Sequence, residues 1–287
     1  MGDLEAVQDD FKRRVIRFTT TEVSPGEAQQ KARDELYALQ WGPTKVPIYQ
    51  LLYLATCFNP AAREDIITTM KWLVDEAKIP VDARDLLGST AIHLTLSTKP
   101  GFDPEIAQIL YDAGADVNTR NRTGANAAHE ATMIWEPQSV AKTSLAAKAI
   151  EWFLTHGGNL DIKDGDGVTA RGNIQVLERK RAQFTNLRSV ITVVEKDKRR
   201  RQQLGDSACR LCAKVPSGEK KLLTCSKCKK AKYCAPPRAC QKLDWPKHKE
   251  VCGKTATSSS KTQNSQSGTK YLGMQVSTFI LERILET

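Results

Sequence analysis

The chain has 287 residues, enough for one large domain or two modest ones and too few for most multi-domain enzymes. Apolar residues make up 40% and charged residues 26%, which fits a folded core with solvated segments; the longest uncharged stretch, Val46 to Ala62, is broken by Pro47 and Pro60 and falls short of a membrane span. The net charge of +10 is unevenly placed: residues 1–177 carry 18 basic and 24 acidic side chains, whereas 178–261 carry 23 and 7, so an acidic body is joined to a basic module.

The opening MGDLEAVQDD has four acids and no apolar run, and Ala6 stands where a myristoylation signal needs Ser or Thr. No secretory signal and no lipid anchor are therefore expected, and an intracellular location, cytoplasmic and/or nuclear, follows. In such a reducing compartment clustered thiols serve as metal ligands rather than disulfides. Ser24-Pro25-Gly26-Glu27 is a capping box with proline at the first helical position. Ala28, Ala32, Leu36 and Leu39 then share one face until Gly42-Pro43, which predicts a capping helix closing an N-terminal region over 1–44.

Three small turns lead into similar apolar helices: GSTAIHLT from Gly88, GANAAHEA from Gly124 and GVTARGNI from Gly167. The preceding segments LYDAGADVNTRNRTG and FLTHGGNLDIKDGDG also match one another, with WLVDEAKIPVDARDLLG as a looser version. Asp116 and Asn118 suit a hairpin loop, and Gly114, Gly124, Gly157, Gly158 and Gly167 suit positive φ. This pattern resembles the ankyrin repeat and implies an all-α repeat solenoid over 45–177. Val46, Thr90, Asn126 and Thr169 take the threonine position of four repeats; their spacing exceeds the family period of about 33, with the excess around Lys99–Asp103 and Glu136–Ser139. The resemblance gives His93 and His129 a structural role within their turns. Cys57 reads as a buried small hydrophobe and His156 as a helix C-cap.

From Ile174 to about Leu204 there is no Pro or Gly, and Leu177, Phe184, Leu187, Ile191 and Val194 form one apolar stripe. A single helix is predicted, its stretch over 178–206 linking and capping the stack. It ends in Lys196, Lys198, Arg199, Arg200 and Arg201, which read either as an import signal or acidic-surface contact, or as a solvated helix end.

Seven of the eight cysteines fall between Cys209 and Cys252. They form C-x2-C (Cys209, Cys212), C-x2-C (Cys225, Cys228), C-x5-C (Cys234, Cys240) and H-x3-C (His248, Cys252), eight ligands in four pairs, the number that two tetrahedral zinc ions need. With Leu211, Leu222, Leu223, Tyr233, Leu243 and Trp245 as nearly its only large apolar groups, this segment cannot fold on burial alone, so metal must supply the difference. All-protein ligation leaves no open coordination position, which argues against catalysis at the metal.

The ligand order, Lys232-Tyr233-Cys234, and the pattern C-Q-x-x-D-W-x-x-H-K-x-x-C from Cys240 to Cys252 closely resemble the MYND zinc finger over 207–252. The resemblance implies interleaved sites, Cys209, Cys212, Cys234 and Cys240 at one zinc and Cys225, Cys228, His248 and Cys252 at the other. Five residues, Ala235 to Ala239, separate the third pair where the family has three. It also implies a protein-binding module, with Gln241 and Trp245 at the peptide-binding positions and proline-containing peptides as partners.

Residues 253–270 are Ser/Thr/Lys/Gln-rich and read as a disordered linker, followed over 271–287 by a short amphipathic tail that would dock on the repeats or a partner. Two binding modules without a catalytic constellation point to a non-enzymatic adaptor for protein partners, with no membrane association. The alternative is a nuclear, nucleic-acid-associated or transcription-regulatory factor using the basic 178–261 region. Against it, that region has few aromatics and no reading helix.

Overall fold

The computed structural model describes residues 3–19, 23–99, 101–179, 185–216, 218, 221–235 and 239–253. The linker and tail expected over 254–287, and Phe184 of the predicted stripe, lie outside the described residues.

Helix α1 (Leu4–Phe18), which the sequence pattern did not suggest, is capped by Asp3 accepting from the Ala6 N–H at 3.0 Å. It buries no residue fully, and only Val7 and Phe11 reach the core, Phe11 meeting Trp72 edge-on at 5.8 Å. Helix α2 (Pro25–Ala38) has the predicted capping box, Ser24 with Glu27, and buries Ala28, Ala32 and Leu36. Arg14 and Arg17 of α1 both reach Glu35 of α2, tying the two into an N-terminal cap. Two short strands, β1 (Gln40–Trp41) and β2 (Val46–Pro47), pair antiparallel and lead into the stack.

The stack is four helix pairs: α3 (Ile48–Phe58) with α4 (Arg63–Asp75), α5 (Ala91–Thr95) with α6 (Pro104–Asp112), α7 (Ala127–Thr132) with α8 (Val140–Thr155), and α9 (Ala170–Arg179) with α10 (Arg188–Leu204). The first helices of successive pairs pack in a row, α3 to α9, and α4 packs on α6 and α8 on α10 behind them. Each first helix is short and rich in small residues, as Ala127, Ala128 and Ala131 show, so neighbours approach closely. The second helices carry larger groups at i, i+3, i+4 spacing, such as Ile66, Met70 and Leu73 of α4 and Ile150, Phe153 and Leu154 of α8. All join one continuous core, where burying each such side chain contributes about 1.5–3 kcal/mol. The fold is a mostly helical, ankyrin-like solenoid, the expected all-α stack with one short β pair at its entrance.

The turns explain the histidines. His93 Nδ1 accepts the Thr90 N–H at 3.1 Å, and His129 Nδ1 accepts the Asn126 N–H at 3.1 Å. That fixes the proton on Nε2, and His129 Nε2 reaches the Val168 carbonyl of the next loop at 3.3 Å. In the first repeat Pro47 occupies the N-cap position without a capping bond, one residue later than the expected Val46. Gln50 then stands where the later repeats have histidine, and its Nε2 donates to the Ser89 carbonyl at 2.7 Å, the same step to the next loop. Cys57 is half-buried at the core's edge, which pushes its thiol up. His156 caps α8 by donating from Nδ1 to the Trp152 carbonyl at 2.7 Å.

The predicted single helix from Ile174 is two helices, with a one-turn 3-10 segment, Thr185–Leu187, before α10. Ile174 and Val190 both belong to the common core, α9 lying beside α7 and α10 beside α8, and this requires the chain to turn back between them. The segment expected to link and cap the repeats supplies the second helix of the fourth pair, so helix pairing continues to Leu204 rather than ending near 177.

Candidate metal centre

Beyond α10, strands β3 (Leu223–Thr224) and β4 (Lys232–Tyr233) pair antiparallel, and helix α11 (Ala239–His248) follows. The two C-x2-C turns share one geometry. The Ala213 N–H donates to the Cys209 carbonyl at 2.8 Å and the Lys229 N–H to the Cys225 carbonyl at 3.0 Å, and Ala213 and Lys229, each just after the second cysteine, have φ of 53° and 57°. Cys225 and Cys234 directly follow β3 and β4, while α11 carries Cys240 and His248 and the turn after it carries Cys252.

Two groups of four result: Cys209, Cys212, Cys234 and Cys240 in one, Cys225, Cys228, His248 and Cys252 in the other, the ligand atoms of each lying within 4.8 Å of one another. Any two sulfurs at the corners of a zinc tetrahedron with 2.3 Å bonds stand about 3.8 Å apart, and a sulfur and an imidazole nitrogen about 3.6 Å. Here Cys225 Sγ is 3.8 Å from Cys252 Sγ, Cys212 Sγ is 3.4 Å from Cys234 Sγ, and Cys228 Sγ is 3.6 Å from His248 Nε2. These separations fit ligands around a cation and are far too long for a disulfide.

The thiols press the same point. The Cys209 thiol is pulled far down by hydrogen bonds from Cys212 and Cys240, and Cys240 is pushed far up by donating to Cys209 and Cys212. Burial pushes Cys234 up to about 12, while backbone N–H groups of Ala231 and Lys230 bring Cys228 down to about 6. Four thiolates cannot share so small a space without a cation to offset them. The finger's own apolar core is correspondingly small: Leu211, Ala231, Tyr233 and the cysteines, with Leu222 and Leu243 packed against them and Ile162 joining from the repeats. Asp244, buried on α11, organises it by accepting from Tyr233 Oη at 2.7 Å and Arg210 Nε at 2.8 Å.

The centre is docked on the last repeats. The Leu211 carbonyl, between ligands Cys209 and Cys212, accepts from Asn159 Nδ2 at 2.9 Å and from Arg201 Nη1 at 2.8 Å. Arg201 also donates to the Gly158 carbonyl at 2.7 Å and to Asp197 at 2.8 Å, and Arg200 pairs with the same carboxylate at 3.0 Å. Lys214 donates to Tyr111 Oη at 2.5 Å. Gly157 has φ of 89° and lies where a Cβ would press on Lys214 and Cys212. Gly158 was expected at positive φ and is not among the positive-φ residues; it is small because a Cβ would fall 2.3 Å from the Phe153 ring. Within the basic helix end Arg200 and Arg201 build the joint, whereas Lys196, paired with Glu151 at 3.1 Å, Lys198 and Arg199 stay exposed to solvent.

Of the two residues singled out for peptide contact, Trp245 is 44% exposed on α11 with its ring 6.1 Å from that of His248, and Gln241 is half-buried one turn earlier. The finger-to-repeat joint was missed from sequence; Asn159 and Arg201 carry no local signal for it. No described helix is long and apolar enough to cross a membrane.

Residues 209–252 match the family model described as the MYND finger. A comparison with curated proteins finds no match. Among solved structures, an ankyrin repeat domain from Acinetobacter baumannii is 16% identical, covering 68% of this chain and 93% of its own, with a TM-score of 0.42. The ankyrin repeat protein EF0377 is 17% identical, covering 68% of this chain and 92% of its own, with a TM-score of 0.43. The segment 209–252 is therefore a zinc-binding MYND finger, set on the end of the stack of helix pairs.

Proposed function

We propose that the protein is a non-enzymatic adaptor. The repeat stack holds one protein, and the finger holds a second through a short proline-containing segment. Cys209, Cys212, Cys234 and Cys240 hold one zinc ion and Cys225, Cys228, His248 and Cys252 the other; both ions are structural, because every ligand position is filled by the chain. The observation that carries the reading is Trp245: its α11 neighbours Asp244 and His248 are buried in the finger, yet its indole stays open to solvent. An exposed, rigidly mounted indole beside a half-buried amide, Gln241, suits a proline ring and the peptide backbone next to it. Titration calorimetry of the zinc-loaded chain against proline-containing peptides tests this. Trp245→Ala should abolish binding while both zinc ions are retained; equal binding by the variant would sink the peptide role.

The nucleic-acid reading finds less support, since Arg200, Arg201 and Arg210 of the basic region are committed to Asp197 and Asp244. Duplex DNA or RNA bound much more tightly than the micromolar level of non-specific contacts would reverse that ranking.

A further inference from the structure

A cleft of about 270 Å³ opens at the hairpin-loop edge of the first repeats, lined among others by Gln40, Lys45, Arg84, Asp85, Arg120 and Arg122. Four of these are cations, on the half of the chain in which acids outnumber bases. None of the four makes an ion pair within 4 Å among the described residues, whereas Arg63 and Arg171 nearby in sequence do.

The guanidinium groups are already fixed. Arg84 Nη1 donates to the carbonyls of Gly88 and Arg120, both at 2.9 Å, and Arg122 Nη1 donates to the Leu86 carbonyl at 2.6 Å. Arg120 repeats the Arg84 pattern one repeat on, reaching Gly124 and Lys163 carbonyls. One nitrogen of each of Arg84 and Arg122 thus anchors the group, and Nε and Nη2 of both have no acceptor among the described residues. Asp85, the carboxylate in the lining, already accepts the Ser89 N–H at 2.8 Å and cannot offset four cations. Pinned guanidiniums with spare donors lose little entropy on gripping an oxyanion.

The cleft is too small and too polar for a cofactor or a drug-sized ligand, and its volume leaves room for an oxyanion and little beyond it. Leu86 lines the cleft and Leu87 follows it in the chain; both are exposed and offer apolar surface beside the cations. We propose that this cleft binds an acidic segment of a protein partner, gripping a phosphate or carboxylate between Lys45, Arg84 and Arg122 while adjoining apolar residues of the segment rest on Leu86 and Leu87. This surface is separate from the finger and does not depend on the proline-peptide reading.

The test is fluorescence anisotropy with the full zinc-loaded chain and short labelled peptides carrying two leucines beside two phosphoserines, two glutamates or two serines. The phosphoserine and glutamate peptides should bind and the serine peptide should not; the stronger of the two identifies the oxyanion. Lys45→Asn, which suits the positive φ of 55° there and removes a side chain with no hydrogen bond of its own among the described residues, should weaken binding about threefold. Lys45→Asn with Arg122→Met should weaken it about tenfold. Circular dichroism and melting of the variants show whether the fold survives, and the Lys45→Asn result stands even where Arg122→Met disturbs the loop. Equal binding of the serine peptide, unchanged affinity in Lys45→Asn, or tighter binding of a single-stranded oligonucleotide at this same cleft would each overturn the proposal.

Discussion

Arg201→Ala isolates what the joint between stack and finger contributes. Arg201 makes three charge-assisted hydrogen bonds of 2.7–2.8 Å, to Asp197, to the Gly158 carbonyl and to the Leu211 carbonyl, and its side chain is 18% exposed. Each such bond contributes about 1.5–3 kcal/mol when its partner is left unpaired. Asp197, with a side chain 3% exposed, keeps Arg200 at 3.0 Å, so the penalty of about 3–5 kcal/mol for a wholly unpaired buried charge is not reached. The carbonyls recover in part, Leu211 keeping Asn159. The expected loss is therefore about 3 kcal/mol, with faster hydrogen exchange at the amides around Leu211. Urea denaturation of the zinc-loaded protein measures the first and native-state exchange the second. In a cycle with Asp197→Ala the two losses should fall short of additive by about 1–2 kcal/mol, since the partners touch. A loss below about 0.5 kcal/mol, or strict additivity, would refute the view that this side chain fastens the finger to the repeats.

Zinc removal by a chelator should unfold 209–252 while most helical signal survives, because the finger's core is a few side chains and the stack has its own; protected finger amides in metal-free protein would contradict this. Burial holds His93 down to about 4, against an ordinary value of about 6.5. Below about pH 6.5 the unfolded chain gains a proton that the folded one refuses, so stability is complete above that value and falls by about 3 kcal/mol as pH drops to about 4. Melting curves across this range should show that slope, and His93→Gln, which copies the amide of Gln50 in the first repeat, should flatten it. Asp244→Asn keeps shape but weakens the acceptor shared by Tyr233 and Arg210, and should cost about 1–3 kcal/mol with two zinc ions still bound; a loss of metal instead would place Asp244 closer to the ligand shell than its contacts do.

What was legible in the sequence followed from local rules. The C-x2-C pairs announced themselves because a tight turn must present two sulfurs to one ion, and the Thr90–His93 and Asn126–His129 turns because a cap and its bonding partner are three residues apart. The first repeat was blurred by a chemical substitution: Gln50 performs the histidine's step to the next loop with an amide, so the pattern lost its marker while the bond remained. α1 was invisible because it hardly buries anything. The division of the predicted long helix into α9 and α10 was invisible for the opposite reason, since one continuous stripe is equally consistent with one straight helix or two that face the same core. Only the presence of α7 and α8 as neighbours selects the folded-back form.

Charge behaved least like a local property. Lys196–Arg201 has the composition of a nucleic-acid or import contact, yet Arg200 and Arg201 turn inward to a buried carboxylate and to carbonyls of the finger and the stack. Lys45, Arg84 and Arg122 are scattered through an acidic body, yet converge on one cleft with donors to spare. Ionic strength separates the two cases. Exposed charges are screened over about 10 Å at 0.1 M salt, and buried pairs much less. Raising salt from about 0.1 M to 1 M, where that length falls to about 3 Å, should therefore weaken acidic-peptide binding at the cleft severalfold. It should leave the stability difference between Arg201→Ala and the unsubstituted chain nearly unchanged. A stability difference that melts away with salt would mean that Arg201 acts as a surface charge after all, and the joint would lose its main fastening.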